Sequence, residues 1–503
     1  MALLIGLDIG SSGARAIAIS AEDGALVAEA SEALAVSRPR PGWTEQDPDL
    51  WWDAARRTLR AVAAEVSGQE LLGLGLTGQM HGSVFLDEAD EVLRPALLWN
   101  DQRTAAQAAA MEERIGRDRL IEICGNPAIT GFQAPKVLWL RDEEPEHYER
   151  VRTVLLPKDH LRLRLTGEKA TDASDASGTL LLDLAARDWS DELLDALDLP
   201  RAWFPTVVEG TEQTGGLLAS VAEELGLPAG LPVAAGGGDN AAAAVGLGLV
   251  REGVVSSSIG TSGVVFAHRD EVTVDPGGRV HACCHAFPGA YHLMGVTLSA
   301  GAALTWWHDV AGSGDDLDVL VAEAAEVPPG ARGLLFAPYL AGERSPHVDP
   351  TARGAFVGLT AGHGRGELTR AVLEGVALSL RDGLDVMRSI GVDVDEVRAV
   401  GGGGRSELWR QVQADVYGTT VRRTEVEEGP AFGAALLAGV ASGTYADVHE
   451  AVERVRLREG AEQPDPARAA RYDELSAIYG GIYGALRATG EALAPFDDAP
   501  VEL

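Results

Sequence analysis

The opening of the chain alternates short apolar runs with tight polar punctuation. Leu3–Asp8, Ala14–Ser20 and Ala25–Ala30 read as strands separated by Gly10–Gly13 and Glu22–Gly24, which predicts an antiparallel meander. The period then changes. Leu50, Trp51, Ala54, Leu59, Val62 and Val66 recur at helical spacing between Asp47 and Val66, with Pro48 near the start, and predict an amphipathic helix. Leu71–Thr77 is a continuous apolar run, the pattern of a buried strand, and it leads into Gly-Gln-Met-His-Gly at 78–82. Farther on, Leu231–Ala235 predicts a strand that ends in three glycines. Val254–Ile259 and Val264–His268 form a second strand pair around a turn. Glu367–Ile390 reads as a long amphipathic helix, and Glu396–Val400 as a strand running into four glycines.

Two of these turns match. Ile9-Gly10-Ser11-Ser12-Gly13 recurs as Ile259-Gly260-Thr261-Ser262-Gly263, half the chain later. A single glycine turn needs no explanation beyond a hairpin. Two copies at the start of two equal halves imply a duplicated α/β unit, each with a central sheet flanked by helices. The expected domains are 1–246 and 247–503, joined without a low-complexity linker and so able to pack tightly and hinge. Small residues with closely spaced backbone N–H groups also form a concavity suited to phosphate.

Composition narrows the choice of function. At 503 residues with 46% hydrophobic content, the chain is long enough for more than one core. No apolar run approaches the ~20 residues of a membrane span. Met-Ala-Leu-Leu-Ile-Gly lacks a basic leader region and reads as a strand, so the cytoplasm is the expected location. Cys124, Cys283 and Cys284 have the spacing of neither a disulfide framework nor a zinc site, and the last two are expected to be small core residues. A net charge of −34 opposes binding to a nucleic-acid backbone, and any phosphate ligand would need local compensation. The only lysines are Lys136, Lys158 and Lys169, and no Gly-x-x-x-x-Gly-Lys-Ser/Thr motif occurs.

Four places carry candidate chemistry. Asp8 stands two residues before the first turn, where a carboxylate can hold a metal ion beside phosphates; Ser258 takes the corresponding place in the second copy. Asp239 opens an alanine-rich helix after Gly236–Gly238. Aspartate suits a helix cap, but three glycines exceed what a cap requires and let backbone approach a ligand. His81 sits between glycines at the C-terminal end of a buried strand, where α/β sheets bind ligands, and is expected to be accessible. Gly401–Gln411 reads as a strand-to-helix turn whose bare backbone could support a flat ring.

Together with GLDIGSSGARA, PGWTEQDPDLWW, GLTGQMHGSVFLD, LLPKDHLRLRLTGE, GGGDNAAAAVG, PYLAGERSPHVDPTARGAFVGL, GGGGRSELWRQ and GPAFGAALLA, these residues resemble the FGGY carbohydrate kinases of the actin-like ATPase superfamily. The resemblance covers essentially the whole chain. It implies an α/β fold of two ribonuclease-H-like domains with an interdomain cleft, ATP and Mg²⁺ as cofactors, and phosphorylation of D-xylulose to D-xylulose 5-phosphate. By the same resemblance the catalytic base is Asp239 and the metal-associated aspartate Asp8. Ser11, Ser12 and Arg15 lie near the phosphates, Gly260 and Thr261 form the opposing loop, and Gly402, Gly403 and Ser406 approach the adenosine. Met80 and His81 hold the sugar, with Trp99, Asp101 and Asn240 as pocket neighbours. Relatives that phosphorylate glycerol carry Arg-Glu in place of Met80-His81. Another ketose or polyol (ribulose, glycerol or gluconate) is the alternative substrate, and a non-metabolic actin-like ATPase the alternative class. The expected partners are the sugar and ATP, not nucleic acid or membrane, with a homodimer left open. Cys283 departs from the family pattern, where a bulkier residue is expected, and bears on packing.

Overall fold

Two mixed sheets repeat one topology. The computed structural model describes residues 1–311, 314, 316–426 and 429–496, so residues 497–503 of the expected second domain lie outside the described residues. In the first sheet the strand order is Gln213–Gly216, Pro232–Ala234, Glu70–Gly78, Ala2–Ile9, Gly13–Ser20 and Leu26–Ala33, with Gly237–Gly238 also pairing to Glu70–Gly78. In the second it is His281–Cys284, Tyr291–Thr297, Gly263–Arg269, Gly253–Ile259, Val394–Val400 and Thr420–Arg422. Each contains an antiparallel meander whose first strand also pairs in parallel with a later strand. The duplication read from the two turns is thus a duplication of sheets. Asp8 faces Arg15 and Thr77 in register, and Ser258 faces Val264 and Val400 in the same way.

The amphipathic helix forms as Pro48–Glu65. Asp47 caps it by accepting from Asp49 N at 3.0 Å, and Pro48 fills the first turn, where its missing N–H costs nothing. Trp51, Ala54, Ala55, Leu59 and Val62 are buried against the meander. Leu50 departs from the expected stripe: in the first turn it lies at the stripe's edge and is 41% exposed.

The opposite face of the first sheet is covered by a helix from the other half of the chain. Gly429–Ala441 packs on Ala2–Ile9 and Glu70–Gly78 and along the helix Asp239–Gly246. Close approach is the reason for the glycines here. A Cβ on Gly6 or Gly75 would overlap the carbonyls of Ala431 and Ala434, and one on Gly433 would overlap that of Ala242. The division at 246/247 therefore separates the two sheets but not the packing, because this helix crosses back.

A set of shorter helices between Ala105 and Thr179 lies over the first sheet's edge and joins the second half. Its core is continuous with that of the second half, and Phe132, Ala173 and Leu180 belong to the same buried cluster as Ala282 and Cys284. Cys124, Cys283 and Cys284 are free and buried. Cys283 is fully enclosed, so the small residue fits its place. Among the described residues no helix is long and apolar enough to cross a membrane.

Candidate active site

Asp239 is delivered to the cleft by the strand before it. Gly237 and Gly238 pair in parallel with Thr77 and Gly78, so the helix that follows begins beside the end of that strand. Asp239 Oδ1 accepts from Asn240 N at 2.7 Å and from Asn240 Nδ2 at 2.9 Å. Asp239 lines a cavity of about 270 Å³ between the halves, together with Asp8, Asn240, Ser258, Gly401 and Pro430. The carboxylate is half-buried, and its open surface faces this recess rather than the outer surface. Burial raises its pKa to about 6, against the opposing pull of the Asn240 hydrogen bonds.

Both turns are tight. Gly10 N donates to the Gly13 carbonyl at 2.9 Å, and Gly260 N to the Ser262 carbonyl at 3.0 Å. The helix Gly301–Ala311 begins on the second turn, where Gly301 N donates to the Gly260 carbonyl at 2.7 Å and Ala300 N to that of Thr261 at 2.9 Å. Ser12 is exposed, while Ser11 is half-buried and its carbonyl accepts from Gln46 Nε2 at 2.7 Å. Arg15 runs along the sheet to Glu29, Nη2 to Oε2 2.6 Å. In the glycine run, Gly402 is exposed and Gly401 lines the cavity, whereas a Cβ on Gly403 would stand 2.6 Å from that of Ile259. Gly403 therefore serves packing. The Ser406 hydroxyl is occupied as a helix cap, accepting from Trp409 N at 3.3 Å.

The expected sugar pair sits beside this cavity. Met80 is 3% exposed and packs on Gly238, where a Cβ would meet its Cγ at 2.8 Å. His81 corrects an expectation: it is 8% exposed, not accessible. Its backbone is left-handed, with φ of 68°, and turns the ring beneath Gly178 and onto Phe132, 4.3 Å between centroids. Gly178 makes room, since a Cβ there would stand 2.5 Å from Nδ1. His81 Nδ1–H donates to the Gly178 carbonyl at 2.8 Å. Burial, helped by the charges of Lys136 and Arg344, lowers the pKa to about 3. The ring is therefore neutral, and with Nδ1 committed it offers Nε2 as an acceptor only. Trp99 is half-buried. Asp101 is fully buried and accepts from Thr44 N at 2.6 Å and from Arg103 Nε and Nη2 at 2.9 and 2.7 Å, so its carboxylate is engaged within the first half.

Two lysines that the motif reading left without a role lie under the site. Lys136 is fully buried, and its Nζ donates to the carbonyls of His81 at 2.7 Å and Gly131 at 2.8 Å, clamping the left-handed turn. Burial lowers its pKa to about 7, with Asp101 opposing. Lys158 Nζ lies 2.7 Å from Asp159, 2.7 Å from Asp172 and 3.3 Å from Asp175, all fully buried. Burial works against this ammonium, yet the three carboxylates outweigh it and hold its pKa above the ordinary lysine range. Asp172 also accepts from the Ser174 hydroxyl, whose oxygen takes a hydrogen bond from Gly238 N at 3.2 Å. The network thus ends on the glycine before Asp239. The sequence offered only the scarcity of lysine, three in the chain; nothing local marks two of them as buried.

A larger groove of about 700 Å³, lined by Asp47, Glu91, Arg94, His160 and Arg164 among others, contains none of the predicted residues.

Comparison with known proteins gives the family. Residues 3–246 match the N-terminal domain of the FGGY family of carbohydrate kinases, and residues 255–442 match its C-terminal domain. The chain is 46% identical over 482 residues to the xylulose kinase of Escherichia coli (strain K12), covering 96% of this chain and 98% of that protein. Among solved structures it is similar to a ligand-bound xylulose kinase from Lactobacillus acidophilus, with a TM-score of 0.93 at 26% identity, covering 98% of this chain and 100% of that one. A gluconate kinase from the same organism gives the same TM-score and identity, covering 98% of this chain and 99% of that one.

Proposed function

The chain belongs to the FGGY family of carbohydrate kinases, and we propose that it phosphorylates D-xylulose at the 5-hydroxyl with ATP as donor, in the cytoplasm. That it is an ATP-dependent sugar kinase follows from the family. The sugar does not follow from the fold, because xylulose and gluconate kinases superpose on it equally well. It rests on the 46% identity to a xylulose kinase over nearly the whole chain and on the Met80-His81 pair.

The observation that carries the reading is Asp239 in a cavity shared by Asp8, Ser258 and Gly401, with its carboxylate raised to about 6. Such a carboxylate is too weak to strip a sugar hydroxyl beforehand. It orients the hydroxyl and accepts its proton as the new oxygen–phosphorus bond forms and the bond to ADP breaks. Gly10 and Gly260 N–H close the two turns, and the remaining backbone N–H groups of each turn would cradle the phosphates. Two carboxylates on one cavity suit magnesium, which binds through one or two carboxylates plus phosphate oxygens and water. Held by Asp8, that ion would neutralise charge on the transferring phosphoryl group. Met80 gives the sugar an apolar wall, and His81 Nε2 accepts from one hydroxyl.

Asp239→Ala tests this assignment. Its kcat is expected to fall by about 10²–10⁴-fold, the usual contribution of a general base, with ATP binding nearly intact. A variant that keeps a tenth of wild-type kcat would remove Asp239 from the role.

A further inference from the structure

The sugar-side residues described so far all come from the first half of the chain. One charged side chain reaches that side from the second. Arg344 lies between Tyr339 and Pro350, in a segment with a pinned backbone. Ser345 N donates to the Val296 carbonyl at 2.8 Å, and Glu343 and Asp349 exchange backbone hydrogen bonds at 2.9 and 2.8 Å. The neighbouring Glu343 carboxylate is buried and spent elsewhere: it accepts from Thr297 Oγ1 at 2.5 Å, Leu298 N at 3.0 Å and Arg344 N at 2.7 Å.

From this rigid anchor the guanidinium crosses to the first half. Its Nη2 lies 3.4 Å from the point where a Cβ on Gly131 would stand, and the Trp99 carbonyl lies 2.6 Å from the same point. Its charge bears on His81, Lys136 and His281. Among the described residues no hydrogen bond or ion pair holds the guanidinium; only the Arg344 backbone is engaged. A guanidinium carries five N–H donors in a fixed fork, and here they are half-buried with no acceptor among the described residues, open to a ligand.

We propose that Arg344 is a sugar-binding residue contributed by the second half, donating hydrogen bonds to oxygens of the bound ketose while His81 Nε2 accepts from a hydroxyl. The pairing is complementary, because every sugar hydroxyl both donates and accepts. A sugar held by His81 on one side and Arg344 on the other is gripped by residues from both halves beside Asp239. This inference rests on the sugar-kinase reading given above.

The test compares wild type with Arg344→Ala and Arg344→Lys. The readouts are KM and kcat for D-xylulose and for ATP, calorimetric binding of D-xylulose without nucleotide, and thermal unfolding. Arg344→Ala is expected to lower kcat/KM for D-xylulose about ten- to a hundred-fold and to weaken sugar binding, with KM for ATP within about twofold of wild type. Arg344→Lys should recover part of the loss, since an ammonium donates but lacks the planar fork. Unchanged sugar binding in Arg344→Ala would overturn the proposal. So would an equal loss toward ATP, or a fall in melting temperature large enough to account for the activity lost. A wild-type protein that phosphorylates none of the sugars would instead overturn the kinase reading, and that failure appears before any variant is made.

Discussion

Asp239 was legible as a residue but not as an acid. Three glycines before a helix start marked it in the sequence, yet its raised pKa comes from burial in a cavity whose lining includes Asp8, Ser258 and Pro430, which are far away in the chain. The shift has a consequence for pH dependence. Since the carboxylate must be ionised to take a proton, kcat/KM for the sugar should fall on the acid side of about pH 6, tenfold per unit. A profile flat down to the ~3.9 of a solvated aspartate would contradict it. The same shift sets a stability effect. Ionising a desolvated Asp239 costs the fold its full penalty above pH 6, and the penalty shrinks as pH falls toward the unfolded value. Asp239→Asn should therefore melt higher than wild type above pH 6 and lose that advantage in acid. His81 was legible only in part. The dipeptide pointed to the sugar, but the buried ring and the Nδ1 bond to Gly178 depend on a segment that local sequence does not place. His81→Ala should lower kcat/KM for D-xylulose about ten- to a hundred-fold, the loss of one hydrogen bond in a closed site. The limb near pH 6 should persist in that variant, because His81, with a pKa of about 3, does not titrate there. A lost limb would reassign it.

Among elements, strands and helices with clear periods were read to within a residue or two, as with Glu70–Gly78 and Arg365–Ser389. What the pattern could not supply was the partner of each face. Gly75 in the strand Glu70–Gly78 has no local reason; its reason is Ala434, on a helix near the other end of the chain. The buried charges around Lys158 are a second case. In LLPKDHLRLRLTGE, Lys158, Asp159 and Arg162 are all fully buried; Lys158 meets Asp159 and the distant Asp172 and Asp175, and Arg162 meets Asp159. Lys158→Met would leave Asp172 and Asp175 without their cation and Asp159 with Arg162 alone. Breaking a buried network from one side costs about 3–5 kcal/mol, so the variant should unfold at markedly lower denaturant. An unchanged unfolding midpoint would show that the cluster is stable without its ammonium.

At the scale of the molecule, the repeated turn foretold two sheets of one topology, because a duplicated strand–turn–strand brings its neighbours with it. It did not foretell that the helix Gly429–Ala441 would seal one sheet with residues from the other half. With Gly433 seated against Ala242, the seam between the halves is closely packed at this helix. Solution scattering should show a smaller radius of gyration with D-xylulose bound than without it, and an unchanged radius would mean a cleft that excludes water without moving. The most direct measurement of the whole account is the rate of ADP release by the wild-type protein at saturating Mg²⁺-ATP, with D-xylulose, D-ribulose, gluconate and glycerol supplied in turn. The account predicts ADP release that depends on sugar, with D-xylulose giving the highest kcat/KM and one phosphate appearing on the sugar for each ADP. Release of ADP without sugar at the same rate, or gluconate or glycerol outperforming D-xylulose, would contradict it.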